Sequence, residues 1–122
     1  MHYKLTKPIT PMLETEDLRA TIDFYTRTLG FVCDRYEEDG GWVHLTKDAA
    51  SIMFSLPNEH RKMAAGVMSG SLYFNPDDVE GLWESVKDVC KICYPLERFE
   101  YGMREFAIYD NNGYLLQFGQ EC

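Results

Sequence analysis

The chain has 122 residues, 45% of them hydrophobic and 26% charged, the size and composition of a single domain that buries an apolar core without disulfides. A balance of 20 acidic to 12 basic residues gives a net charge of −8, which argues against a phosphate-backbone partner and favours a cationic small molecule over an anionic one. No stretch approaches the roughly 18 uninterrupted apolar residues of a membrane span. The opening MHYKLTKPIT has no apolar segment behind its basic residues, so a cytoplasmic location is expected.

In chain order, KPITPMLE (7–14) reads as a strand, and EDLRATIDFYTRTLGF follows with Leu18, Ile22, Tyr25 and Leu29 at helical spacing and Gly30 at the helix end. Three strands come next, at 31–38, 42–46 and 51–56, separated by the turn-forming DGG and KDAA. A loop, PNEHRKMAAGVMSG (57–70), leads to a strand at 71–75. Asp78 then caps a helix with Val79, Leu82, Trp83 and Val86 on one stripe. Strands at 91–99, 104–110 and 114–119 finish the chain. The element order is βαβββ twice.

Punctuation supports a true repeat, because Asp17 and Asp78 are 61 positions apart and so are Gly41 and Gly102. The expected fold is therefore α+β, one domain over 1–122 built from two tandem modules at approximately 7–57 and 70–120. Each module packs one sheet face on its helix and leaves the other to be covered by the partner module, another subunit or a ligand.

Alternation along the strands sorts the side chains. Ile9, Pro11, Leu13, Val43, Leu45, Ile52, Phe54, Leu72, Phe74, Phe106, Ile108, Leu116 and Phe118 are expected on the helix side. The open side then carries Thr10, Met12, Trp42, His44, Ser51, Met53, Ser71, Tyr73, Glu105, Tyr109, Leu115 and Gln117. This mixture of aromatics, a thioether, hydroxyls, an amide, an imidazole and a carboxylate suits a concave surface for an organic ligand. A half-wet sheet face or a dimer seam would show the same pattern.

Cys33, Cys90, Cys93 and Cys122 fit a reducing compartment. The CKIC pair at 90–93 follows a helical pattern instead of opening one, so it lacks the helix N-terminus that lowers a redox thiol's pKa. With only His2, His44 and His60 available as further ligands, a zinc site is not expected and the cysteines read as structural.

Two phrases carry a family resemblance. EDLRATIDFYTRTLGF and REFAIYDNNGYLLQF are similar to the helix and final-strand phrases of the vicinal oxygen chelate superfamily, which includes glyoxalase I, extradiol dioxygenases, and fosfomycin and bleomycin resistance proteins. Asn111 stands where that family usually has proline, a change that a turn tolerates. The resemblance implies paired βαβββ modules whose curved mixed sheets surround a cleft.

It also implies four metal-ligand positions, one on the first and one on the last strand of each module, which fall here on Thr10, Met53, Ser71 and Gln117. Hydroxyls, a thioether and a neutral amide make a poor site for a divalent cation, so no metal and no cofactor is expected. The second half, SLYFNPDDVEGLWESV and MREFAIYDNNGYLLQFG, resembles the bleomycin resistance branch, whose members dimerise and sequester a cationic glycopeptide between subunits without metal. The resemblance thus implies a homodimeric binding protein for a hydrophobic or cationic ligand, with no catalytic residue.

Ligand-binding candidates are Trp42, His44, Met53, Tyr73, Glu105, Tyr109 and Gln117, with Asp34 and Glu37 as further acidic groups for a cation. Two alternatives stay open. One is a metal-dependent lyase, dioxygenase or thiol transferase using His44 and Glu105 in a displaced site, and the other is a dimeric scaffold whose open face is merely filled.

Overall fold

The computed structural model describes residues 1–57 and 68–122, so His60 and most of the 57–70 loop lie outside the described residues. Contacts divide the chain into two units, Met1–Ala65 and Gly66–Cys122. Each runs βαβββ, as the repeat in the sequence predicts.

Unit 1 comprises β1 (Met12–Glu14), α1 (Leu18–Asp23) with a π-helical continuation (Phe24–Thr28), β2 (Val32–Glu37), β3 (Trp42–Lys47) and β4 (Ala50–Ser55). Its sheet order is β1-β4-β3-β2, with β1 parallel to β4 and the other pairs antiparallel. Unit 2 repeats the plan with β5 (Leu72–Phe74), α2 (Val79–Val86), β6 (Lys91–Arg98), β7 (Met103–Tyr109) and β8 (Leu115–Glu121), in the order β5-β8-β7-β6.

The helix starts follow from the aspartates 61 positions apart. Asp17 Oδ1 accepts from the Ala20 N–H and Asp78 Oδ1 from the Gly81 N–H, both at 3.0 Å, satisfying donors that a helix's first turn leaves free. The last turn of unit 2 is held in the same manner, with Asp110 Oδ1 accepting from the amides of Asn112 and Tyr114. Gly113 there has φ 86°, a left-handed conformation that glycine adopts without cost.

Each helix covers one face of its own sheet. In unit 1 Val43, Leu45, Ile52 and Phe54 are buried with Leu18, Tyr25, Leu29 and Phe31, and the Tyr25 ring lies 5.2 Å from Phe54 and 5.4 Å from Phe31. In unit 2 Trp83 on α2 meets Phe106 at 5.2 Å, and Phe106, Phe118 and Phe74 form a stacked row. These are the helix-side residues that alternation predicts.

Two expectations fail, each for a local reason. The first strand is only Met12–Glu14, and Ile9, expected in the core, is 93% exposed. Pro8 and Pro11 lack the N–H a strand interior must donate, so the ladder starts after them. The first helix does not continue as an α-helix to Gly30 but widens at Phe24 into a π-helical segment, with Phe31 N–H donating to the Tyr25 carbonyl at 2.9 Å. On the open face Glu105 is 3% exposed and Ala107 is buried.

Candidate functional site

The predicted site residues divide into two clusters, one on each unit. In unit 1, register places His44 opposite Met53 and Met53 beside Met12 on one sheet face. Trp42 Nε1–H donates to Met53 Sδ at 3.2 Å, and the indole stacks on the His44 ring at 6.2 Å with an interplanar angle of 21°. The Arg35 guanidinium lies 5.9 Å from the Trp42 ring, and its Nε donates to Glu37 at 2.9 Å. Glu37 is thereby engaged with Arg35, whose positive charge shares this face.

A bulge in β2 positions the remaining acidic candidate. Register jumps from Cys33 opposite Leu45 to Arg35 opposite His44, so Asp34 is the extra residue. Its carboxylate reaches His44 Nδ1 at 3.0 Å, while His44 Nε2 faces Ser51 Oγ at 2.6 Å and Thr10 Oγ1 donates to that same oxygen at 3.1 Å. The neighbouring Cys33 thiol is pushed up, first by burial and then by the Asp34 charge.

The second cluster centres on Glu105 in β7. Tyr73, Tyr94 and Tyr101 all donate their hydroxyls to its carboxylate, Tyr73 at 2.7 Å and Tyr101 at 3.3 Å on Oε1, and Tyr94 on Oε2. Behind Tyr94 a directed chain continues, with Ser71 donating to the Gln117 amide oxygen and Gln117 Nε2 donating to the Tyr94 hydroxyl at 3.0 Å. Every member donates towards Glu105, so both of its carboxylate oxygens are engaged by donors. Among the described residues no ion pair reaches it, and its hydrogen-bond partners are the neutral phenols.

The phenols carry the complementary effect. Burial, then the hydrogen bond to Glu105, pushes Tyr73 up to about 12, and the same two causes raise Tyr94. Tyr101 is raised by burial and by the Glu105 charge. Yet the rings stay accessible, with Tyr73 46% and Tyr101 62% exposed, and Phe99 stacks on Tyr101 at 5.3 Å.

Gly119 makes room for this cluster, because a Cβ there would lie 2.1 Å from the Tyr73 hydroxyl oxygen. Gly119→Ala is expected to push Tyr73 off Glu105 and to return its phenol from about 12 towards its ordinary 10.0, read by ultraviolet titration. An unchanged titration would show that Tyr73 is held elsewhere.

Tyr109 is not part of either cluster. Its hydroxyl donates to Cys93 Sγ at 3.3 Å and its ring lies 5.4 Å from Lys91 Nζ. A depression on the helix side of unit 2, lined by Asp78, Glu80, Trp83 and Leu96, holds none of the predicted site residues.

Alternation missed Tyr94 and Tyr101. Simple period two puts Tyr94 on the face of Ile92, but β6 bulges between them, so Ile92 pairs with Ile108 while Tyr94 pairs with Ala107 on the open face. Tyr101 sits in the β6–β7 turn, where strand periodicity carries no information. The only clue in the sequence is the run YPLERFEYG, in which three aromatics, Tyr94, Phe99 and Tyr101, flank the turn alongside two carboxylates, Glu97 and Glu100.

The four positions at which the resemblance would place metal ligands do not fit a divalent cation. Thr10 donates to Ser51, Met53 accepts from Trp42, and Ser71 donates to Gln117, all as neutral groups, and none supplies a carboxylate or imidazole. His44 and Glu105, the displaced-site pair, lie in different units and are each hydrogen-bonded within their own.

Two four-stranded mixed sheets, each with one helix on one face, define a duplicated βαβββ protein of the α+β class. The chain belongs to the Glyoxalase/Bleomycin resistance protein/Dioxygenase superfamily, whose family model matches residues 9–118. Its fold is similar to that of a bleomycin-binding protein complexed with bleomycin, at 25% identity and TM-score 0.74, covering 96% of this chain and 100% of that one. TioX from Micromonospora sp. ML1 aligns with TM-score 0.74 and 19% identity over 93% of this chain and 98% of that one. An integron cassette protein from V. Cholerae aligns with TM-score 0.73 and 20% identity over 98% of both chains. No functionally curated protein matches the sequence significantly. Among the described residues, no helix is long and apolar enough to cross a membrane.

Proposed function

We propose that this protein binds a hydrophobic or cationic small molecule without metal chemistry, using the open faces of its sheets and acting as a homodimer. The observation that carries the reading is Glu105, a buried carboxylate held by three phenols. A negative charge behind accessible aromatic rings attracts ammonium and guanidinium groups both directly and through the rings' quadrupoles. Trp42 and Met53 offer a planar and a polarizable apolar surface to the rest of such a ligand. The fold neighbour complexed with bleomycin supports a small molecule as the ligand class.

Calorimetry with bleomycin and with a set of aromatic ammonium compounds, in the presence of a chelator, tests this reading. Saturable binding that quenches tryptophan fluorescence is expected. Absence of heat and of quenching across both probes, or binding that appears only when a divalent metal is restored, overturns it.

A further inference from the structure

We propose that Ser51 is a nucleophile, activated by His44 and Asp34, that accepts an acyl group from activated carboxylic esters. This goes beyond ligand binding and rests on unit 1 alone, whereas the binding reading rests on Glu105 in unit 2.

The geometry supplies the nucleophile, its base and the group that orients the base. Asp34 Oδ2 lies 3.0 Å from His44 Nδ1, and His44 Nε2 lies 2.6 Å from Ser51 Oγ. A carboxylate only accepts, so the neutral imidazole carries its proton on Nδ1 and turns the lone pair of Nε2 towards the serine hydroxyl. That is the tautomer a general base needs. Thr10 Oγ1 donates to Ser51 Oγ at 3.1 Å, which fixes the serine proton on the His44 side.

Secondary structure holds each member. His44 and Ser51 stand on the adjacent antiparallel strands β3 and β4, where Thr46 is opposite Ser51 and His44 is its diagonal neighbour on the same face. The β2 bulge brings Asp34 to the imidazole, and Trp42 stacked on the ring restricts its rotation. Ser51 and His44 are half-buried, so the hydroxyl is ordered but open to a reagent.

The step balances within these groups. Ser51 Oγ forms a bond to the acyl carbon as its proton passes to His44 Nε2. The carbon–oxygen bond to the alcohol then breaks and the alcohol departs with that proton. Water repeats the sequence on the acyl-serine, releasing the carboxylic acid and restoring the hydroxyl.

A hydrogen bond that merely satisfied a half-buried imidazole would leave Ser51 as unreactive as any other serine, and a fluorophosphonate probe separates the two cases. Its phosphorus accepts Ser51 Oγ, fluoride leaves, and the proton goes to His44. Intact mass and peptide mapping are expected to show one adduct per chain, at Ser51, with the site unlabelled in Ser51→Ala. Labelling is expected to slow by about a hundredfold in His44→Gln, the low end of general-base contributions. It should also slow in Asp34→Asn, a side chain 58% exposed whose change leaves the core packing intact, and disappear when the wild-type chain is unfolded in urea. No adduct at Ser51 in the folded wild type, or labelling equally fast in His44→Gln or in urea, overturns the proposal. Bleomycin and ammonium binding are measured separately, so loss of either result leaves the other standing.

Discussion

Glu105→Gln is expected to weaken the binding of cationic ligands by at least about tenfold, because it deletes the one buried charge behind the tyrosine rings while preserving shape. The same substitution should lower the Tyr73 phenol from about 12 only part of the way to 10.0, since burial, the larger cause, remains while the hydrogen bond to a charge is lost. Stability should fall by about 1.5–3 kcal/mol, the usual worth of a hydrogen bond to a charged group. Calorimetry, ultraviolet titration and urea unfolding read the three effects. Undiminished cation affinity would remove Glu105 from the site.

The raised phenols also set the pH dependence of the fold. A phenol whose folded value exceeds its unfolded value stabilises the native state fully below about pH 10, and that contribution is lost as pH rises through about 12 for Tyr73. Wild type should therefore lose stability through this alkaline window more steeply than Glu105→Gln. Parallel unfolding curves for the two proteins would show that Glu105 does not set the phenol values.

The second large effect is in the core of unit 1. Tyr25 is fully buried in the π-helical segment, with ring contacts to Phe24, Phe31 and Phe54. Tyr25→Ala is expected to cost about 3–5 kcal/mol, the range for truncating a buried aromatic. That is a large share of the ~5–15 kcal/mol by which a small protein is stable. The denaturation midpoint should drop sharply, and a loss below about 1 kcal/mol would mean that the surrounding rings collapse into the space. Because β3 and β4 carry both Phe54 and the His44–Ser51 pair, such a variant should lose any Ser51 reactivity together with its fold.

Much of this architecture is legible in the residues. Asp17 and Asp78 announce the helix starts, and both cap the helices that follow. Val43, Leu45, Ile52, Phe54, Phe106, Ile108, Leu116 and Phe118 alternate in the sequence and are buried in the structure. Ile9 misleads because alternation reads side chains and not backbone donors, and two prolines remove the donors on which a longer first strand depends.

The candidate site is legible in composition but not in arrangement. Trp42, His44 and Met53 were placed together by period two, and they touch. Tyr73, Glu105 and Gln117 likewise share one cluster, while Tyr109 belongs to a separate contact with Cys93 and Lys91. Asp34 carried no sign that it would reach His44, nor Tyr94 that it would reach Glu105, because each depends on a bulge that shifts a strand's facing by one residue.

The sequence by itself determined the duplicated βαβββ order, the helix caps, the buried faces and the neutral character of the four family ligand positions, since all of these are set by local propensity and period. Only the tertiary structure decided that Glu105 is buried beneath three phenols and that Asp34, His44, Ser51 and Thr10 form one hydrogen-bonded line. Those groupings join residues up to 41 positions apart in the line and 32 around the carboxylate. Strand register and bulges bring them within a few ångströms, and neither is written in the periodicity of a single segment.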